Sequence, residues 1–135
     1  EVASPNIAAI AGLNASLKWI EKAGIDNIYL KEQENRSKLV DVLNRFSNVK
    51  VVEAKESDAI GVVSCVFDGY SSDNIGQILS DQNVAVRTGL HCAPYAHKFI
   101  GTFPAGTVRF SVSYFNSDED FEKLEAALEY IEENS

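Results

Sequence analysis

The residue types best suited to chemistry lie in the second half of the chain. Cys92 stands within the segment VRTGLHCAP (86–94), where a glycine and a proline interrupt regular structure and predict a loop. Arg87 precedes the cysteine, and Arg109 follows it in a stretch (107–114) whose alternation of apolar and polar residues predicts a strand. A guanidinium can hold a carboxylate through two parallel hydrogen bonds, and it favours the thiolate form of a nearby cysteine. These residues suggest a carboxylate-bearing substrate beside a nucleophilic sulfur.

Each of these residues also has a simpler interpretation. A loop cysteine in an intracellular protein is more often inert than nucleophilic, and arginines at strand ends are often surface residues. Cys65 lies in the apolar run 60–67 and is interpreted as a packing residue. His91 and His97 could serve Cys92 as a base or as metal ligands. Two histidines and one accessible cysteine are a poor ligand set, so no metal site is predicted.

Composition limits the class of protein. With 135 residues, of which 45% are hydrophobic and 24% charged, the chain fits one soluble globular domain with a single core. No apolar stretch approaches the roughly 20 residues needed to cross a bilayer, so no membrane partner is predicted. Twelve Lys and Arg against twenty Asp and Glu give a net charge of −8, which argues against nucleic acid as a partner. Two cysteines and no signal-peptide pattern favour the cytoplasm.

Hydrophobic periodicity predicts the elements that position these residues. The nearly continuous apolar run 60–67 is typical of a central strand buried on both faces. Cap residues at Ser71 and at Ser117, the latter with Asp120 three residues later, predict helix starts. The full set comprises helices over 7–23, 27–46, 72–82 and 118–131, strands over 49–53, 60–67, 84–87 and 107–114, and a loop over 88–102 with a short helix at 96–100. This order predicts an α/β fold in which a small sheet packs with helices in two layers, as a single domain over 1–135.

Several segments resemble one enzyme family. They are VRTGLHCAP (86–94), GTVRFS (106–111) and YFNSDED (114–120), preceded by the opening EVASPN (1–6) and the helix start that follows it. Together they are similar to the C-terminal small domain of class V aminotransferase-fold enzymes that use pyridoxal phosphate. Among these enzymes, the chain most resembles the group II, SufS-like cysteine desulfurases.

The resemblance implies a reaction. In that family pyridoxal 5'-phosphate, held as a Schiff base by a lysine, captures L-cysteine and weakens its C–S bond. A protein cysteine, by position Cys92, then takes the sulfur as a persulfide, and L-alanine is released. The sulfur passes to an acceptor protein for iron–sulfur cluster or thio-cofactor assembly. The resemblance therefore implies a sulfurtransferase, with L-cysteine and a sulfur-acceptor protein as partners.

The resemblance also implies roles for three further residues. Arg109 matches the arginine that holds the substrate carboxylate. Arg87 matches another active-site arginine, whose expected role is to position the loop and support the thiolate. Ser4 stands where the family usually has a threonine that contacts the cofactor phosphate across the interface of a homodimer, so Ser4 is expected to be a cofactor-binding residue.

One expected part of the family site has no counterpart in the sequence. The Schiff-base lysine of the family lies upstream of the position that matches Glu1, and Lys98 follows the cysteine and is not assigned to that role. Because the chain also lacks methionine, it is expected to be the C-terminal domain of a longer enzyme, with residues 1–6 ending the inter-domain connection. The 135 residues alone are then expected to be inactive, with pyridoxal phosphate bound mainly by the other domain.

Two alternatives stay open. Another enzyme of the same family, such as a selenocysteine lyase, would keep the cofactor and either change the substrate or have no catalytic role for Cys92. A non-catalytic thiol or interaction module would keep only the fold. Whether Cys92 is reactive and required distinguishes these alternatives, because a catalytic nucleophile should react faster than the buried Cys65.

Overall fold

The computed structural model describes residues 4–52 and 59–134. It confirms the predicted α/β arrangement, in which helices pack on a small antiparallel sheet with the strand order β1-β2-β4-β3. The helices are α1 (Ile7–Ala23), α2 (Ile25–Leu43), α3 (Ser72–Asp81), α4 (Pro94–Phe99) and α5 (Asp118–Glu133), and the strands are β1 (Val49–Val52), β2 (Val62–Phe67), β3 (Arg87–Gly89) and β4 (Thr107–Ser111).

The hydrophobic core lies between one face of the sheet and the helices α2, α3 and α5. The sheet contributes alternate residues of β2 and β4, because successive side chains of a strand point to opposite faces. The helices contribute residues three and four positions apart, which share one side of a helix. The principal members are Leu39, Leu43, Val63, Cys65, Phe67, Ile75, Leu79, Val108, Phe110, Leu124, Leu128 and Ile131.

The prediction that β2 is buried on both faces is wrong. Burial alternates along the strand: Val63, Cys65 and Phe67 are buried, whereas Val62 is 40% exposed and Val66 is partly buried. The reason is that α2, α3 and α5 cover one face of the sheet and leave the other partly open. Ile60, placed in the strand by its apolar character, lies before it and is 61% exposed.

The strand predicted at 84–87 is displaced. The ladder with β4 covers Arg87–Gly89, and residues 84–86 precede it without regular secondary structure. The N–H of Val84 donates instead to the carbonyl of Leu79 and closes the end of α3, which keeps this segment off the sheet. Arg87 is therefore the first paired residue of β3, not the last.

A third difference from the predicted strands concerns the end of β4. The strand ends at Ser111 and not at residue 114, because Ser113 and Asn116 form a turn in which the Ser113 N–H donates to the Asn116 side chain. Asn35 of α2, which is buried, donates to the carbonyls of both turn residues. A buried amide needs such partners, and here they fix where the strand stops.

Helix boundaries agree with the cap residues better than with apolar spacing. Ser71 accepts from the N–H of Asn74, and Ser117 with Asp120 forms the predicted capping box at the start of α5. The helix predicted over 27–46 spans Ile25–Leu43, and the short helix predicted at 96–100 begins at Pro94, a residue favoured in the first helical turn.

Helix α1 has the predicted apolar stripe but buries none of it. Exposure is 74% at Ile7, 60% at Leu13 and 56% at Leu17. The helix contacts α2, and Trp19 near its end packs against the rings of Tyr114 and Phe115. Within the described part of the chain, no helix combines the length and the apolar character that a bilayer crossing requires.

Candidate active site

Cys92 lies in a tight turn between β3 and α4. The backbone is left-handed at Gly89, His91 and Cys92, with φ values of 91°, 49° and 61°. Non-glycine residues rarely adopt this conformation, and they keep it only where the surrounding structure enforces it. The thiol of Cys92 is free and its residue is exposed. The fold thus presents one cysteine to solvent on a conformationally constrained turn.

The two predicted arginines are direct neighbours across the sheet. Arg87 of β3 and Arg109 of β4 form a residue pair in the antiparallel register, so both side chains project to the same face. This is the face opposite the buried Val108 and Phe110. Neither arginine forms an ion pair with any residue in 4–52 or 59–134, and the Nε of Arg109 is buried without a hydrogen-bond acceptor there.

Like charges directly opposite each other destabilise a sheet, and a buried guanidinium N–H without an acceptor adds to the cost. A bound anion would relieve both. Carboxylates match the planar fork of a guanidinium, and two adjacent guanidiniums provide more donors than one carboxylate can use. The pair therefore has the donor set of an anion site at the edge where the Cys92 turn begins.

His91 belongs to the turn, and its ring is directed toward β4. Its Nε2 lies 3.1 Å from the hydroxyl oxygen of Thr107, which is buried at the start of β4. Burial lowers the pKa of His91 below its usual 6.5, and electrostatic repulsion from Arg109, His97 and Arg87 lowers it further. The lowered pKa favours the neutral form of the ring. Across residues 4–52 and 59–134, no group of His, Cys, Asp or Glu is arranged to hold a metal ion.

The two cysteines have opposite environments. Cys65 is fully buried in β2, its Sγ lies 3.7 Å from the carbonyl oxygen of Val108, and burial raises the pKa of its thiol to about 12. Cys92 is exposed on the turn. Because the thiolate is the reactive form, Cys65 is inert in the folded chain, as its position in an apolar strand predicts.

The turn is held against β4 by a close contact between two backbones. A Cβ atom on Gly106 would lie 2.3 Å from both the carbonyl carbon and the carbonyl oxygen of Gly89. Gly106 also has a φ of 74°, and its N–H donates to the carbonyl of Thr102. Only glycine permits this approach, which sets the Cys92 turn directly beside the strand that carries Arg109.

Ser4 and Lys98 bear on whether the chain holds pyridoxal phosphate. Ser4 lies just before α1, and its exposed hydroxyl makes no hydrogen bond within the described residues, so it is free to contact an anion. The ammonium of Lys98 lies over the rings of Tyr95 and Phe103, at 5.5 Å and 4.9 Å from their centroids. The arginines and Ser4 therefore fit the anionic groups of a substrate or cofactor phosphate, whereas Lys98 is engaged elsewhere.

Sequence patterns missed three residues of the site. Thr102, Thr107 and Gly106 had no assigned role, yet each joins the Cys92 turn or α4 to β4. The one available signal was the position of Thr107 and Gly106 at the start of the alternating strand segment, next to Arg109. Alternation predicts that Thr107 faces away from the core, yet it is buried, with the Nε2 of His91 3.1 Å from its hydroxyl oxygen.

The fold and site together define a small α/β domain that displays one exposed free thiol, on the turn after β3, and a cross-strand pair of arginines without an ion-pair partner among the described residues. The chain belongs to the aminotransferase class-V family, whose family model matches residues 1–124. This agrees with the resemblance found in the sequence.

Proteins that are similar to this chain over most of its length include cysteine desulfurases. A cysteine desulfurase of Synechococcus elongatus is 33% identical over 135 residues, which cover 100% of this chain and 21% of the relative. A probable cysteine desulfurase of Xylella fastidiosa is 30% identical over 128 residues, or 95% of this chain and 30% of the relative. The apo structure of a cysteine desulfurase from Thermococcus onnurineus superposes with a TM-score of 0.87 at 29% identity, covering 100% of this chain and 33% of that one. The chain thus spans about a third or less of these relatives.

Proposed function

We propose that this chain is the part of a cysteine desulfurase that supplies the sulfur-accepting nucleophile, Cys92, and the carboxylate-binding pair, Arg87 and Arg109. The observation that carries the proposal is the exposed free thiol on the turn that follows β3, the strand whose Arg87 pairs with Arg109, where neither guanidinium has a carboxylate partner among the described residues. The similarity to cysteine desulfurases over the whole chain supports the same function.

The arginine pair would orient the substrate. The carboxylate of L-cysteine accepts hydrogen bonds from the guanidinium of Arg109, and Arg87 adds positive charge beside it. The lowered pKa of His91 disfavours a third positive charge at this turn. An amino acid held by its carboxylate at this edge can direct its side chain toward the Cys92 turn, so binding also orients the substrate sulfur.

Cys92 would then accept the sulfur. Its thiolate Sγ forms a bond with the sulfur of L-cysteine while the C–S bond of the substrate breaks. The bonding electrons stay on the carbon, which takes up a proton and leaves as L-alanine. Cys92 keeps the added sulfur as a persulfide, and a thiol of an acceptor protein can attack its outer sulfur. An exposed position suits both steps, because the second needs access for another protein.

Pyridoxal phosphate, when bound, supplies the electron sink that weakens the C–S bond of the amino acid. Of the described residues, Ser4 offers a free hydroxyl for the phosphate. The lysine that binds the cofactor would lie outside the described residues. This division of labour is the reason to expect no sulfur release from the 135 residues alone.

Several finer features remain predictions of this proposal. They are the group II subtype, a homodimer that brings Ser4 to the phosphate of the partner, a protein sulfur acceptor and a cytoplasmic location. A reducing compartment suits the proposal, since both cysteines are free thiols.

The decisive test measures sulfide release from L-cysteine by the complete gene product, with pyridoxal phosphate and a reductant. Wild type is compared with Cys92→Ser, and Cys65→Ala is the matched control. We expect Cys92→Ser to abolish release, because a hydroxyl cannot form a persulfide. Cys65→Ala should keep most of the rate, because the buried thiol takes no part in the reaction.

Three outcomes separate the candidate functions. Loss of sulfide release in Cys92→Ser alone establishes a desulfurase that works through a Cys92 persulfide. Release from selenocysteine but not from cysteine indicates the related lyase. No release from a wild-type protein that visibly binds the cofactor refutes the proposal and indicates another class V reaction in which Cys92 takes no part.

A further inference from the structure

His97 is unusual among the polar residues of the described chain. It is 5% exposed, and only Asn35 and Thr107 are likewise buried among the polar and charged residues in 4–52 and 59–134. A buried polar side chain is costly unless it is hydrogen-bonded, so its partners indicate what it holds together. Two of these three residues, His97 and Thr107, lie around the Cys92 turn.

The partners of His97 lie in the segment that follows α4. Its Nδ1 is 2.7 Å from the hydroxyl oxygen of Thr102, and its backbone carbonyl accepts from the N–H groups of Thr102 and Phe103. The carbonyl of Thr102 in turn accepts from Gly106, whose backbone abuts Gly89. His97 and Thr102 thus join α4 to the residues that press on the start of the turn.

The other side of His97 faces the turn itself. The ring centroids of His91 and His97 are 5.8 Å apart, and His91 reaches Thr107 through its Nε2. The N–H of His97 also donates to the carbonyl of Ala93, directly after Cys92. The two chain neighbours of Cys92, His91 and Ala93, therefore both contact His97. Cys92 itself is exposed.

We infer that His97 and Thr102 are positioning residues for Cys92: their hydrogen bond braces the left-handed turn so that the sulfur stays at the arginine pair. The expected effect on kcat rests on the proposed function, whereas the expected effect on the turn rests on the geometry alone. A left-handed backbone at two successive non-glycine residues needs such support. Replacement of His97 itself would remove a buried side chain, so the test changes the partner hydroxyl.

The experiment compares Thr102→Val with Thr102→Ser in the complete gene product. Valine keeps the shape of threonine and removes the hydroxyl, whereas serine keeps the hydroxyl. We expect Thr102→Val to lower kcat for sulfide release between about tenfold and about 100-fold, the range that a small misplacement of a reacting group can cost. KM should stay within twofold, because the arginine pair is untouched. Thr102→Ser should keep the wild-type kcat within twofold.

Hydrogen exchange gives a second measurement that needs no sulfur transfer. Peptides covering 89–97 should exchange faster in Thr102→Val than in wild type or Thr102→Ser, whereas peptides of β2 and α5 should not change. A kcat that is unchanged in Thr102→Val, or lowered equally in Thr102→Ser, overturns the inference. If wild type releases no sulfide, the proposed function fails, and the exchange data alone decide: unchanged exchange at 89–97 in Thr102→Val rejects the brace.

Discussion

The electrostatics of the site can be tested most directly at His91. Its ring lies near three other cationic or protonatable groups, Arg87, Arg109 and His97, and burial adds to their effect. The neutral ring can share a hydrogen bond with Thr107 without adding repulsion to the arginine pair. A protonated ring at this position would add a third positive charge beside the arginines and increase their mutual repulsion.

The lowered pKa of His91 predicts a pH dependence of stability. In the unfolded chain the imidazole binds a proton near its usual pKa of 6.5, whereas the folded chain binds it only at lower pH. The unfolded state therefore holds more protons below pH 6.5, and stability falls as the pH drops from that value toward the folded pKa. His91→Asn removes this contribution, and asparagine tolerates the left-handed backbone.

Urea unfolding at pH 7.5 and pH 5.5 measures the effect. We expect wild type to lose more free energy of unfolding on acidification than His91→Asn, since all other titrating groups are common to both proteins. An equal loss in the two proteins would show that His91 is protonated as easily in the folded chain as in the unfolded one.

At the scale of elements, the site depends on how closely the segment before β4 approaches the turn after β3. Gly106 and Gly89 meet backbone to backbone, and this contact places the Cys92 turn beside Arg109. The short strand β3 has only three residues with which to fix the same geometry. Packing at a single glycine therefore compensates for a short ladder.

Gly106→Ala should destabilise the chain more than Gly101→Ala. Both glycines are left-handed, with φ values of 74° and 77°, so each substitution incurs a backbone cost of about 1–2 kcal/mol. The new Cβ meets the Gly89 backbone at 2.3 Å in the first case and open space in the second. Forced displacement of that backbone adds about 1–3 kcal/mol. Urea unfolding followed by far-UV circular dichroism tests this, and equal losses in the two variants would rule out the close contact.

At the scale of the whole molecule, the sheet separates a packed side from an open one. The core side holds the apolar residues of α2, α3 and α5, and the open side holds the arginines. Helix α1 belongs to neither layer, since none of its residues is buried. The stability of the domain should thus come from the core side alone.

Two leucines test this separation. Leu39 of α2 is 1% exposed, and Leu39→Ala should lower the free energy of unfolding by about 2–5 kcal/mol, as for other buried leucines. Leu17 of α1 is 56% exposed, and Leu17→Ala should change the free energy of unfolding by less than about 0.5 kcal/mol. Chemical unfolding of this 135-residue chain measures both. A cost at Leu17 close to that at Leu39 would mean that α1 is part of the folding core.

Much of this arrangement was predictable because it is encoded locally. Ser71 and Ser117 fix helix starts through bonds to residues three positions away, and apolar spacing identifies the core faces of α3 and α5. Cys92 and the arginines were found by type and resemblance. The one-sided burial of β2 and the brace at His97 were not found, because they depend on which elements meet in space, and periodicity within one segment holds no information on that.

The contact between α1 and the segment after β4 has an optical consequence. Trp19 is the one tryptophan of the sequence, and its ring lies 5.3 Å from that of Tyr114 and 5.1 Å from that of Phe115, centroid to centroid. Its indole is 37% exposed, so its emission responds to local solvent. Tryptophan emission of this chain therefore reports directly on the contact of α1 with residues 114 and 115, which lies outside the core. A shift in emission without a change in secondary structure would be the signature of α1 leaving the domain.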